Sequence, residues 1–339
     1  MNNLHRLISV SLLFSAAFCP AAKPARKVEV PIWISDEGRL ALFPREEFLS
    51  AVSSGKSAEI AKQNAASEIS KSIRAKVNSQ SIAEQHMAIV NGEHSNSQSI
   101  FRSVEILSDG NLYGLEFTQT FFSEKENLFY CAAFIHKQKA WTLVEPVLKN
   151  ISAKIHLAKK SADEADDYFS KTVFLVSAKD RREEFLSAYS FALAVNENAA
   201  KEFDAVFKTI LFCENEIAKN KSRNTVFVRA QNYIEESVFQ KMCDIFDANG
   251  FSPVKIASNA RFTANATCDV HIKPDGEIFS CYPGISLEVK ENATGKIVYA
   301  FSESAKRTAG KDYSAAQKNA HREIRNILEN KFLKQGESL

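Results

Sequence analysis

The chain reads as an α+β protein: two small units, each an antiparallel sheet with an alanine-rich helix packed on it, separated by an antiparallel helical segment. Three observations predict this. Between Lys137 and Asn220 there is no glycine and a single proline, Pro146, while apolar residues recur at helical spacing. On both sides of that stretch, short runs rich in aromatic and β-branched residues alternate with turn signals. Each flanking region also holds one helix with a small-residue stripe, Ala61, Ala65 and Ile69 in the first and Ala316, Ala320 and Ile324 in the second. Alanine on such a stripe lets a helix axis approach a sheet closely.

The boundaries implied are a leader over residues 1–22, a first α+β unit over 31–136, a helical hairpin or bundle over 137–222, and a second α+β unit over 223–339. At 339 residues the chain has room for two or three domains of about 100–150 residues each. Residues 31–34 form a short extended apolar segment, and 48–53 a strand that turns at Ser54-Gly55. Ser57 is positioned to cap the helix that follows, whose inner stripe is Ala58, Ala61, Ala65, Ile69, Ile73 and Val77. Residues 79–111 alternate weakly and are expected to form strands, with turns at Asn91-Gly92 and Asp109-Gly110 and a mobile loop over 93–99. Residues 115–122 and 128–135 flank the polar stretch 123–127 as an antiparallel hairpin.

In the helical segment Trp141, Val144, Leu148, Ile151 and Ile155 make one stripe, and Phe203, Val206, Phe207, Ile210 and Leu211 another, with a break over 177–182. The last third returns to mixed structure. Residues 225–230 alternate as a strand, and Val238, Met242, Ile245 and Phe246 stripe a helix that Gly250 stops. Further strands are expected over 252–256, 268–272, 285–289 and 297–301, with turns at Pro274-Asp275-Gly276 and 292–295. The final helix runs over 314–332, with Ala316, Ala320, Ile324, Ile327 and Leu328 inward.

The amino terminus carries the clearest functional signal. His5 and Arg6 precede a 12-residue apolar run over 7–18, followed by small residues, which is the anatomy of a secretory signal peptide. The run is well short of the roughly 20 residues that cross a bilayer core. Cys19 is the one candidate lipid anchor, yet Phe18 stands where a lipoprotein signal needs a small residue. Cleavage between Phe18 and Lys23 without lipidation is therefore expected, giving a periplasmic or outer-membrane-associated product that meets the membrane only through Cys19, if at all.

Forty-three basic and forty-one acidic residues give a net charge of +2, so no global field draws nucleic acid or an anionic membrane. The concentrated basic stretch, Lys23 to Lys27, belongs to the mature tail. Beyond Cys19 the cysteines are Cys131, Cys213, Cys243, Cys268 and Cys281, an odd number with no C-x-x-C spacing. They read as buried, reduced small hydrophobes. If Lys273 pairs with Glu277 across a three-residue loop, Cys268 and Cys281 stand one residue out of step and are not bridged.

No motif of catalysis stands out, and no catalytic, cofactor-binding or metal-binding residue is expected. Gly55-Lys56-Ser57 sits between a strand and a helix as a P-loop would, but Ser50 occupies the place of the required glycine. Neither G-x-S-x-G nor H-E-x-x-H occurs. Asp166-Asp167 and Glu183-Glu184 are adjacent pairs on helices, which point about 100° apart and decorate solvent. His321 lies beside Arg322 and Glu323 and reads as a solvated helix residue. The two alanine-rich helices match at a constant offset of 255 residues: Gly55, Lys56, Ala61, Asn64, Ala65, Glu68 and Ile69 recur as Gly310, Lys311, Ala316, Asn319, Ala320, Glu323 and Ile324.

Trp33, the string F-L-S-A-V-S-S-G-K-S-A-E-I-A-K-Q-N-A-A-S-E-I beginning at Phe48, and L-F-Y-C-A-A-F-I-H-K-Q-K-A beginning at Leu128 occur in an order that resembles the bacterial envelope family named after a twenty-kilodalton surface lipoprotein, here Lpp-twenty. The resemblance covers residues 31–140 and departs from the pattern at Ser53, where glycine is common, and at Phe18. It implies an envelope location and a non-enzymatic role; related modules occur in flagellar basal-body rings. By element order alone, the last third looks like small α+β domains of envelope assembly proteins and of lipoprotein activators of peptidoglycan synthases. The resulting expectation is a non-enzymatic scaffold or assembly module whose partners are envelope proteins, peptidoglycan-associated or flagellar basal-body components. A regulator docked on a peptidoglycan synthase, and an envelope hydrolase with a dispersed active site, are the alternatives.

Overall fold

The computed structural model describes residues 29–90 and 112–334. The leader with Cys19, the turns at Asn91-Gly92 and Asp109-Gly110 and the loop expected over 93–99 lie outside the described residues. The fold is α+β.

The amino-terminal sheet is built around β4 (Leu128–His136). On one side β1 (Phe48–Gly55) pairs with it antiparallel; on the other lie β2 (Leu115–Phe117) and β3 (Phe121–Ser123). The single arm expected over 115–122 is thus two short strands, and their registers on β4 differ by one residue. Thr118 bridges the slip. Its N–H donates to Ala132 O at 2.9 Å, and its hydroxyl accepts the Ala132 N–H at 3.1 Å, standing in for a ladder carbonyl.

Residues 31–34 are not extended: Ile32–Ile34 is a 3-10 turn leading into α1 (Asp36–Leu42). Ser35 caps α1 by accepting the Gly38 N–H at 3.1 Å, and Arg39 reaches across to donate to Ser50 O at 2.8 Å on the outer edge of β1. Helix α2 (Ala58–Val90) starts as expected, with Ser57 accepting the Ile60 N–H at 3.2 Å. It then continues through 79–90, where strands were expected. No glycine or proline interrupts this stretch, so a helix already nucleated simply propagates.

Helices α3 (Lys137–Glu164), α4 (Tyr168–Lys179), α5 (Arg182–Val195), α6 (Glu197–Ala200) and α7 (Asp204–Lys221) form a bundle, broken as expected near Asp180. Its core is continuous with that of the first sheet. Ile69, Ile73 and Val77 of α2, Ile135 of β4, and Val144, Phe185 and Ile210 of the bundle belong to one cluster of buried side chains. The boundary drawn at 136/137 therefore falls inside a packed interior.

The carboxy-terminal unit comprises β5 (Thr225–Ala230), α8 (Glu236–Ala248), β6 (Ser252–Pro253), β7 (Phe262–Asp269), β8 (Lys273–Asp275), β9 (Ile278–Cys281), β10 (Gly284–Glu291), β11 (Ile297–Ser304), β12 (Thr308–Gly310) and α9 (Tyr313–Lys331). Its main sheet has the order β11-β10-β7-β5-β6 and is mixed, since β5 runs parallel to both β6 and β7. The strand expected over 268–272 is the tail of β7, whose alternating Ala264, Ala266 and Asn265 have low strand propensity and conceal it. One face buries Val226, Ala264 and Leu287 against Met242 and Phe246 of α8 and Ile324 and Leu328 of α9. Phe169 of α4 enters the same core, its ring centroid 4.6 Å from that of Phe251 and 5.5 Å from that of Phe262. The second unit is thus packed onto the bundle.

The register expected for the β8–β9 hairpin is wrong. Lys273 pairs with Ser280 and Asp275 with Ile278, closing a two-residue turn at Gly276-Glu277, with Gly276 at φ 67°. Glycine in that left-handed position allows the tightest hairpin, which leaves no place for a three-residue loop. The two cysteines are free and lie in different sheets, Cys268 opposite Ile285 and Cys281 opposite Thr308, so neither stands opposite the other.

The 255-residue offset is a repeat of contacts as well as letters. A Cβ on Gly55 would lie 2.7 Å from Ala61 N, and one on Gly310 2.2 Å from Ala316 N. Ser57 caps α2 through Ile60; Asp312 caps α9 by accepting the Ala315 N–H at 2.7 Å. Asn64 donates to Ser54 O at 2.9 Å, and Asn319 to Ala309 O at 2.7 Å, each clamping its helix to the strand before it. In both places the strand flanks an antiparallel hairpin, in the order β1-β4-β3 and β12-β9-β8.

Candidate functional site

Helices α8 and α9 pack side by side on the second sheet, and their exposed shoulders leave an open cleft of about 480 Å³. Tyr233, Glu235 and Ser237 line it from the start of α8. Gln317, Lys318, His321 and Arg325 line it from α9, at the three- and four-residue steps that put side chains on one helix face.

Three of these groups hold each other. The Ser237 hydroxyl donates to the Glu235 carboxylate, and Arg325 donates to the Ser237 oxygen while lying 3.7 Å from Glu235. The Ser237 hydrogen bond, followed by the charges of His321 and Arg325, holds the Glu235 carboxyl below its usual range. Glu235 is therefore a carboxylate committed to its neighbours.

His321 is the exception. It is only 8% exposed, against the expectation of a solvated residue, because the start of α8 lies across the face that an isolated α9 would give to water. Burial pushes the imidazole below its ordinary value; Glu235 pulls it up and Arg325 pushes it down, and burial wins. Among the described residues no hydrogen bond reaches either ring nitrogen, and the side chain lines the cleft.

A serine, a histidine and a glutamate in one cleft invite the hydrolase alternative, and the geometry tests it. Activation needs the serine hydroxyl to donate to the imidazole. Here Ser237 donates to Glu235 and accepts from Arg325, so it works as a bridge between two charges.

The other residues singled out in the sequence have structural positions. Gly55 packs against α2, Ser57 caps it and Lys56 is exposed. Asp167 caps α4 by accepting the Ser170 N–H at 2.8 Å, and Glu183 and Glu184 lie in the first turn of α5. Burial pushes the thiols of Cys213 and Cys268 up to about 11. Among the described residues no group of three or more His, Cys, Asp or Glu side chains is placed to hold a metal ion, and no helix is long and apolar enough to cross a membrane.

A second, shallower cleft of about 580 Å³ lies on the uncovered face of the main sheet, lined by Asn265, Thr267, Ser286, Glu288 and Ser302. Gln231 donates to Asn265 at 2.9 Å across its rim. Sequence reasoning missed the α8–α9 site. Its one local signal is the Gln317, His321, Arg325 ladder, which runs alongside the apolar stripe and needs the second helix to become a cleft.

No family model matches the chain, and no curated protein matches it. Among solved structures it is similar to the secreted protein HP1454 from Helicobacter pylori, at 12% identity and a TM-score of 0.38, over 84% of this chain and 98% of that one. It is also similar to a chain of the PelC dodecamer from Paraburkholderia phytofirmans, at 19% identity and a TM-score of 0.24, over 32% of this chain and 86% of that one. Both scores are too low for either likeness to carry a functional argument.

Proposed function

We propose that this chain is an exported, non-enzymatic interaction module of a bacterial cell envelope and that it engages its partner through the α8–α9 cleft. The leader over residues 1–22 supports export. The observation that carries the binding reading is His321, a nearly buried imidazole that lines an open cleft and takes no hydrogen bond among the described residues, beside charges that satisfy one another. His321 contributes no fully enclosed unpaired nitrogen, so its ring stays within reach of a ligand that enters the cleft.

The test is affinity capture of the full chain from crosslinked envelopes, comparing the parent with the His321→Gln and Lys318→Gln variants. Loss of a specific partner in both variants supports the reading. Capture of the same partners by all three overturns the assignment to this cleft. If the cleft-dependent partner is a peptidoglycan synthase, the module is a regulator of that enzyme rather than a general scaffold.

A further inference from the structure

We infer that the α8–α9 cleft receives a carboxylate of a partner polypeptide, with the His321 ring N–H and the Lys318 ammonium as the donors that meet it. The inference rests on the reading above and deepens it by naming the ligand chemistry.

The charge left over in the cleft is one-sided. Its carboxylate, Glu235, is engaged by Ser237 and Arg325. Of what remains, the Lys318 ammonium can only donate, while the Gln317 amide, the hydroxyls of Ser314 and Tyr233, and the imidazole can donate or accept. A ligand that meets Lys318 must accept, and the other groups are able to donate to the same ligand. Charge points the same way, because Glu235 and Arg325 balance each other, while Lys318 is exposed and makes no ion pair among the described residues. One uncompensated cation suits a monoanion; a phosphate dianion would call for a second.

His321 supplies the specificity. Its side chain is only 8% exposed and lines the cleft, so a ligand that meets it there has little rotational freedom to remove. Tyr233, 77% exposed at the mouth, offers a flat apolar wall of the kind that lies against peptide backbone. A volume near 480 Å³ lies in the range of small-ligand sites.

The carboxylate can be a chain terminus or an acidic side chain, and three probes separate these sources. The full mature chain, labelled with ¹⁵N in histidine, is titrated with acetyl-trialanine as the free acid, acetyl-trialanine amide, and acetyl-Ala-Glu-Ala amide. The His321 ring signals are assigned by their loss in His321→Gln. The expected result is a saturable shift of those signals with at least one acidic probe, at least tenfold weaker binding of trialanine amide, and binding about threefold weaker in Lys318→Gln, the scale of one exposed charge. The preferred acidic probe names the source. Equal response to the uncharged amide, or no response of His321 to either acid, overturns the inference. Cleft-dependent capture with His321 silent to both acids would leave the interaction reading standing and remove the carboxylate. A response to acids without any cleft-dependent partner would do the reverse.

Discussion

Replacing Gly310 with alanine puts a methyl group where the first turn of α9 already lies. The new Cβ would sit 2.2 Å from Ala316 N, 2.6 Å from Ala315 C and 2.8 Å from Ala316 Cα, all of them backbone atoms. Strand and helix must part by most of an ångström before the nearest contact reaches 3.0 Å. That movement breaks the Asn319 clamp on Ala309 O and loosens Ala316 and Ala320, both fully buried. Overpacking of this kind costs about 1–3 kcal/mol, and the lost hydrogen bond adds about 1 kcal/mol. At Gly55 the backbone contacts are longer, 2.7 Å to Ala61 N and 2.9 Å to Ile60 C, so a smaller movement relieves them. The loss there should stay near 1–2 kcal/mol. Urea unfolding separates the two sites, because both tryptophans, Trp33 and Trp141, lie in the amino-terminal half. Gly55→Ala should lower the fluorescence midpoint. Gly310→Ala should lower the far-UV circular dichroism transition while leaving fluorescence nearly unchanged, and Asn319→Ala should reproduce about 1 kcal/mol of that loss. If Gly310→Ala stays within about 0.5 kcal/mol of the parent, the range of an ordinary surface change, the close strand–helix approach does not exist as described.

Phe169→Ala in the bundle should destabilise the carboxy-terminal unit by about 3–5 kcal/mol, because its fully buried ring packs on Phe251, Phe262 and Tyr299; an unchanged carboxy-terminal transition in urea would show that the two cores are independent. The His321 imidazole is held below its ordinary value of 6.5 when folded, so the unfolded chain takes up that proton first and stability falls as pH drops below 6.5. His321→Gln should flatten that slope in thermal melts, leaving the separate loss from Glu235, which begins only below its ordinary value of 4.5. Burial pushes the Cys213 and Cys268 thiols up to about 11, so neither should react with a thiol reagent at pH 8 until urea unfolds the chain. Prompt labelling of either in the native protein would contradict the packing.

Much of the fold was legible because periodicity and turn chemistry are local. The stripe from Ala58 to Val77 and the one from Ala316 to Leu328 bury the residues expected of them, apart from the half-covered Ala58 and Ile327. Ser57 caps its helix, and Asn64 and Asn319 repeat at the offset read from the letters. What failed depended on tertiary context. Helix α2 outruns its stripe to Val90 because nothing stops it. The β8–β9 register turned on a single left-handed glycine, Gly276, whose effect on loop length pattern alone does not decide. The candidate site failed for the same reason. His321 looks polar and solvated on its own helix, and only the arrival of α8 makes it a buried group facing a cleft.

The central claim, that partners are engaged through the α8–α9 cleft, is tested most directly by photocrosslinking in intact cells, with a benzophenone side chain placed at Gln317 on the cleft wall or at the exposed Lys154 of α3. The account predicts a discrete adduct from position 317, lost when Lys318 is also changed to glutamine, and none from 154. A discrete adduct from 154 with none from 317 would contradict it.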